Sequence, residues 1–128
     1  PLSPHLQVYR PQLTSTLSIL HRITGLLLSL GGVLLVGWVL VLAQGPDHHA
    51  HVLQVAGSGF MKWVVCAGFY VFVFSLVYHL LNGIRHLAWD AGWGLDIPMA
   101  YRTGWLVVAL SVVITALLAW RAMSGGAA

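Results

Sequence analysis

An all-α membrane protein is the fold class that this sequence predicts, and three observations predict it. Of 128 residues, 59% are hydrophobic and only 7% are charged, whereas a soluble domain carries about 25% charged residues. Three apolar stretches, residues 23–43, 60–84 and 103–120, reach the roughly 20 residues needed to cross a bilayer. The segments between them carry the glycines, prolines and aspartates of connectors. The expected architecture is a single domain, residues 1–128, with spans at about 22–43, 60–87 and 103–122 behind an interfacial N-terminal segment, 1–21.

The elements follow in order. Pro1, Pro4 and Pro11 keep the first residues out of a helix interior. Residues 14–20 mix polar and apolar side chains and are expected to run along the inner interface before turning into the first span. Such an approach suits a soluble partner. The first span holds no charge. Residues 44–59 contain Gly45-Pro46-Asp47 and three histidines, His48, His49 and His51, and read as a loop without an assigned role. The second span has Lys62 at its edge and His79 inside it. Residues 90–101, with Gly92, Gly94 and Pro98, read as a second loop. The third span is again uncharged, and the small residues 124–128 are expected to be a frayed tail.

Charge and cysteine content narrow the function. Six basic and three acidic residues give a net charge of +3, too few and too scattered for a nucleic-acid surface. Cys66 is the only cysteine, so no intrachain disulfide forms, and it reads as a small apolar core residue. With the N-terminus inside, Arg10, Arg22, Arg85 and Arg102 share the inner side, and only Lys62 and Arg121 lie outside. That bias predicts a cytoplasmic N-terminus and an external C-terminus. No signal peptide pattern is visible at the N-terminus, and the expected location is a bacterial inner membrane rather than a mitochondrial one. Trp38, Trp63, Trp89, Trp93, Trp105 and Trp120 read as interfacial belts and packing.

The chemistry concentrates around His79. An intramembrane histidine is costly and marks a functional site by default. Its residues suit three roles: an axial ligand to haem iron, a proton-relay or quinone contact, or a structural hydrogen bond. Gly83, one turn on, permits close approach of a flat ring or another helix. His86 follows seven residues later, about 10.5 Å along a helix and on nearly the same face. The two therefore cannot clamp one iron from opposite sides. His21 is expected at the surface, with His79 about 9 Å deeper than Arg85. A bis-histidine haem would then need a ligand from a partner subunit. Ser18, His21 and Arg22 at the start of the first span meet the depth of Arg85, His86 and Asp90 at the end of the second. Arg85 alone reads as an interfacial anchor. The whole cluster, with its hydroxyl and carboxylate, does not.

Three segments carry a family resemblance. Ser3-Pro4-His5-Leu6 with Tyr9 and Pro11 comes first. Then come Ser18-Ile19-Leu20-His21-Arg22-Ile23-Thr24-Gly25 and the pattern His79-x-x-x-Gly83-x-Arg85-His86-x-x-x-Asp90. Together they closely resemble the cytochrome b556 subunits of succinate dehydrogenase, the C-type membrane anchors of respiratory complex II. The resemblance covers nearly the whole chain. It implies a helical bundle, shared with a second anchor subunit, that holds one haem b. His79 matches the axial ligand, the other coming from that second anchor. His21, Arg22 and His86 match positions near the haem propionates. Ser18, Ile19, Arg22 and Asp90 match positions lining a ubiquinone site. It further implies an iron–sulfur subunit and a flavoprotein subunit docked on the inner face of the lipid bilayer.

The residues suit that chemistry. A serine hydroxyl and an arginine can hydrogen-bond to and polarise quinone carbonyl oxygens. The chain has no CxxC cluster or glycine-rich nucleotide fingerprint, so succinate oxidation is expected from its partners, not from it. The competing readings are a haem-free structural anchor, the anchor of a quinol:fumarate reductase, and an independent di-haem cytochrome b.

Overall fold

The computed structural model describes residues 12–125. The proline-rich start and the motif at Ser3 to Pro11 lie outside the described residues. Four helices follow one another: α1, Leu13–Ala43; α2, Pro46–Ala56; α3, Gly59–Asp90; and α4, Ile97–Gly125. Three of them, α1, α3 and α4, are long and apolar enough to cross a membrane. They have 31, 32 and 29 residues. At 1.5 Å per residue each exceeds the roughly 30 Å of a hydrocarbon core, so each helix runs beyond its apolar stretch.

This length changes two boundaries. The turn expected near residue 21 is not a helix boundary, because α1 begins at Leu13 and continues unbroken into the span. The Ser15 hydroxyl accepts from the Gln12 amide at 3.2 Å and donates to the Gln12 carbonyl at 3.1 Å, which starts the helix there. The expected loop at 44–59 is instead mostly helical. Gly45, at φ 114°, turns the chain, Pro46 occupies the first helical turn and Asp47 complements the dipole. The same three residues that read as a turn are therefore a helix start. The second loop survives as residues 91–96. Gly92 closes α3 at φ 87°, its N–H donating to the Trp89 carbonyl at 2.9 Å and that of Trp93 to the Ala88 carbonyl at 2.8 Å. Asp96 opens α4, its carboxylate accepting from the Met99 amide at 3.4 Å.

Helix α3 packs on both α1 and α4, and α2 rests on α1 and α3. The buried apolar cluster is Leu17, Tyr78 and Val107, joined by Leu13, Leu20, Phe74, Leu81 and Val108. Buried polar residues accompany it: Thr24, Ser75, Asn82, Arg85 and Ser111. All lie in the first half of α1, the second half of α3 and the first half of α4, which meet at one end of the antiparallel bundle. Residues 59–69 and 33–37 are largely exposed. The helices are thus zipped at the end that carries Arg22, Arg85 and Arg102 and open toward the other. Cys66 belongs to the open half and is exposed rather than a core residue. Small residues let the backbones approach. A Cβ on Gly104 would stand 2.8 Å from Leu17 Cδ1, and one on Gly31 would run into the Phe72 ring.

Candidate functional site

Two seams hold α3 in place, and each carries polar side chains. On the α1 side, the Tyr78 hydroxyl donates to the Leu17 carbonyl at 2.7 Å. One residue on, His79 Nδ1 lies 3.2 Å from the His21 carbonyl oxygen and 3.2 Å from Thr24 Oγ1. The Thr24 hydroxyl donates to the same His21 carbonyl at 2.9 Å. On the α4 side, Arg85 donates from Nε to Thr103 Oγ1 at 3.1 Å, from Nη1 to Asn82 Oδ1 at 3.1 Å and from Nη2 to the Ala100 carbonyl at 3.0 Å. Its guanidinium lies 4.1 Å from the Trp89 ring centroid, and Trp89 Nε1 donates to the Gly94 carbonyl at 3.1 Å.

The His79 contacts decide its protonation. A carbonyl oxygen only accepts. Nδ1 must therefore carry a proton, and in the neutral ring the lone pair is then on Nε2. This is the form in which an imidazole binds a metal, its other nitrogen held by an acceptor. The neighbourhood leaves room for a flat ligand. His79 is half-buried, and a Cβ on Gly83 would meet nothing within 4 Å. His79, with Nδ1 held by oxygen acceptors and an open flank at Gly83, thus fits a residue that would hold a haem.

His21 is not at the surface, as the sequence suggested. Its ring stacks on His79 with centroids 3.9 Å apart and planes 9° from parallel. The reason is the early start of α1, which puts residue 21 two turns into the helix and at the depth of His79. The His86 ring tilts toward His21 at 5.4 Å, so three imidazoles cluster. Stacked rings hold their nitrogen lone pairs in parallel planes, so His21 and His79 do not face each other across one iron. His21 Nδ1 is buried without a hydrogen-bond partner among the described residues.

The remaining expected site residues are dispersed around this cluster. Ser18 is half-buried, while Ile19 and Arg22 are exposed. Ser18 and Arg22 stand four residues apart and so share one face of α1. Asp90, the last residue of α3, is exposed at the same end of the bundle. Arg85 is no interfacial anchor. It is 6% exposed and turned into the α3–α4 seam, away from the imidazoles. Sequence reasoning also missed the roles of Thr24, Tyr78 and Asn82. Ser75, Tyr78, Asn82 and Arg85 recur at spacings of three and four, a polar stripe on an apolar helix. That pattern was available in the sequence as a sign of a buried face. His48, His49 and His51 lie on α2 at the other end, where His49 meets the edge of Trp38 at 4.9 Å. Among the described residues no group of three or more histidine, cysteine, aspartate or glutamate side chains is arranged to hold a metal ion by itself, the three clustered imidazoles included.

Comparison with known proteins follows the same outline. Residues 1–118 match the family described as succinate dehydrogenase/fumarate reductase transmembrane subunit. The chain is 46% identical over 118 residues to the succinate dehydrogenase cytochrome b556 subunit of Rickettsia prowazekii (strain Madrid E), covering 92% of this chain and 89% of that protein. It is 41% identical over 117 residues to the cytochrome b556 subunit of Paracoccus denitrificans, 91% and 87% of the two chains. The mitochondrial cytochrome b560 subunit of Mus musculus is 42% identical over 113 residues, 88% of this chain and 66% of that one.

Proposed function

The chain belongs to the succinate dehydrogenase/fumarate reductase transmembrane-subunit family, and from that membership we propose that it anchors a succinate:ubiquinone oxidoreductase, holds haem b and helps to form the quinone-reducing site. The observation that carries the haem assignment is the state of His79. Its Nδ1–H is committed to the His21 carbonyl and Thr24, and its Nε2 is left as the donor. A partner anchor subunit would supply the other ligand, because no other histidine among the described residues opposes His79. When bound, the haem supplies a one-electron carrier at the inner end of the bundle. His21, Arg22 and His86 are the donors that would hold its propionates.

The quinone half of the proposal rests on α1. Ser18 and Arg22 share a face that this chain leaves open, with Ile19 beside them and Asp90 at the same end. The Ser18 hydroxyl and Arg22 guanidinium donate to the quinone carbonyl oxygens and draw electron density onto them. Asp90, exposed at the helix end, can pass protons from water while the isoprenoid tail stays in lipid. The dehydrogenase chemistry belongs to iron–sulfur and flavoprotein partners docked on the inner face. The membrane is the cytoplasmic membrane of a bacterium, with the N-terminus of α1 inside, a placement supported by Arg22, Arg85 and Arg102 at one end of the bundle. The relatives named above are succinate dehydrogenase subunits, which favours succinate oxidation over fumarate reduction.

Two measurements test this. Ser18→Ala and Arg22→Leu should lower quinone reduction at least tenfold, about 1.4 kcal/mol of lost interaction, while electron transfer from succinate to an artificial acceptor survives. Equal loss of both activities would mean failed assembly and would remove these residues from the quinone site. Haem counted per purified complex should fall in His79→Leu, and full retention would favour the haem-free anchor.

A further inference from the structure

We propose that Thr24 is a positioning residue for His79. Together with the His21 carbonyl, its hydroxyl locks the imidazole as the Nδ1–H tautomer and sets the donor strength of Nε2 toward haem iron. The proposal rests on the reading of His79 as an axial ligand. Thr24 is 1% exposed, so water does not compete for its hydroxyl. That hydroxyl has one proton, and it goes to the His21 carbonyl at 2.9 Å. Toward His79 Nδ1, at 3.2 Å, Oγ1 therefore offers only lone pairs. The His21 carbonyl offers only lone pairs to the same nitrogen. Two acceptors converge on one N–H. Turning the threonine proton toward a bare Nδ1 would still leave the carbonyl against a nitrogen lone pair, so the second tautomer is not accommodated.

A threonine in a helix commonly bonds back to the carbonyl three residues earlier, and that alone has no bearing on a ligand. The contact across to residue 79 is the addition. The surrounding packing makes it effective. A Cβ on Gly25 would come within 3.2 Å of His79 Cε1, so the ring lies against the α1 backbone. The His21 ring covers one of its faces at 3.9 Å. Held on these sides, the imidazole cannot rotate to recover a lost acceptor. Acceptors on the distal nitrogen make an imidazole a stronger donor, and a stronger donor favours the ferric iron. Removing the Thr24 hydroxyl weakens that bias, and the reduced haem gains.

The test uses the detergent-purified complex with all its partners, comparing wild type with Thr24→Val, Thr24→Ser and His79→Leu. Valine keeps the shape of threonine without the hydroxyl, and serine keeps the hydroxyl. In Thr24→Val the haem should remain low-spin, its midpoint potential should rise, and the ferric EPR signal should shift. The ferric-to-ferrous ratio at fixed potential should fall by up to about tenfold, about 59 mV for a one-electron couple. Thr24→Ser should return both readings to wild type. If the valine variant does not assemble, Thr24→Ala makes the same comparison. An unchanged potential and EPR signal without the hydroxyl, while His79→Leu removes the haem band, would overturn the role of Thr24 and leave the ligand assignment standing. A shift that serine does not reverse would also overturn it, since packing and not the hydroxyl would be the cause. A band that survives unchanged in His79→Leu would overturn both.

Discussion

His79 owes its chemistry to a carbonyl 58 residues away in sequence. The sequence singles it out as a candidate site residue, because a histidine inside an apolar span has few structural uses. Its tautomer was not legible there, because that depends on which oxygens the fold brings to Nδ1. Arg85 shows the reverse case. As a residue it looked like a snorkelling anchor, yet its three donors close on Asn82, Thr103 and Ala100 in three directions. Only the planar fork of a guanidinium meets that set. Arg85→Lys should therefore lower the unfolding free energy of the complex by roughly 2 kcal/mol, through lost charge-assisted bonds, with little rescue over Arg85→Met. The midpoint of thermal unfolding, followed at constant detergent, checks this. A lysine variant with wild-type stability would contradict the three-point clamp.

At the scale of elements, the spans were legible because twenty apolar residues have few alternatives in water or lipid. Their ends were less so. Hydropathy stops where the lipid core stops, but the backbone hydrogen bonds of α1 continue outward to Leu13. That extension is what lifts His21 to the depth of His79. Helix α2 was missed because Gly45-Pro46-Asp47 serves equally as a turn and as a helix start. The seam between α1 and α3 also depends on contacts that no local pattern reveals. Tyr78→Phe removes the bond to the Leu17 carbonyl and should cost about 0.6 kcal/mol, the typical worth of an interhelical bond in membranes. Gly31→Leu should be worse, because its side chain would enter the space of the Phe72 ring. Denaturation of each variant in mixed micelles ranks them, and a neutral Gly31→Leu would show that α1 and α3 are not packed as described.

As a whole molecule the described chain is closed at the end that carries Arg22, Arg85 and Arg102 and open at the other. The buried residues form one polar and apolar knot, while Leu26, Val33, Leu34, Phe60 and Trp63 present a lipid-like exterior. A bundle with so small a core gains stability from neighbours, either lipid or a second anchor. Produced without its partner subunits, the chain should insert but hold haem weakly, a result read from haem per polypeptide with and without co-expression. Full haem loading alone would place both axial ligands in this chain or in its dimer. The location of the knot was not legible in the sequence, since burial between helices depends on which faces meet. The most direct measurement is the reduced-minus-oxidised visible spectrum of the purified complex, wild type against His79→Leu. A sharp low-spin b-type band that disappears or shifts on substitution is the predicted result, and the same band unchanged in the variant would contradict the assignment.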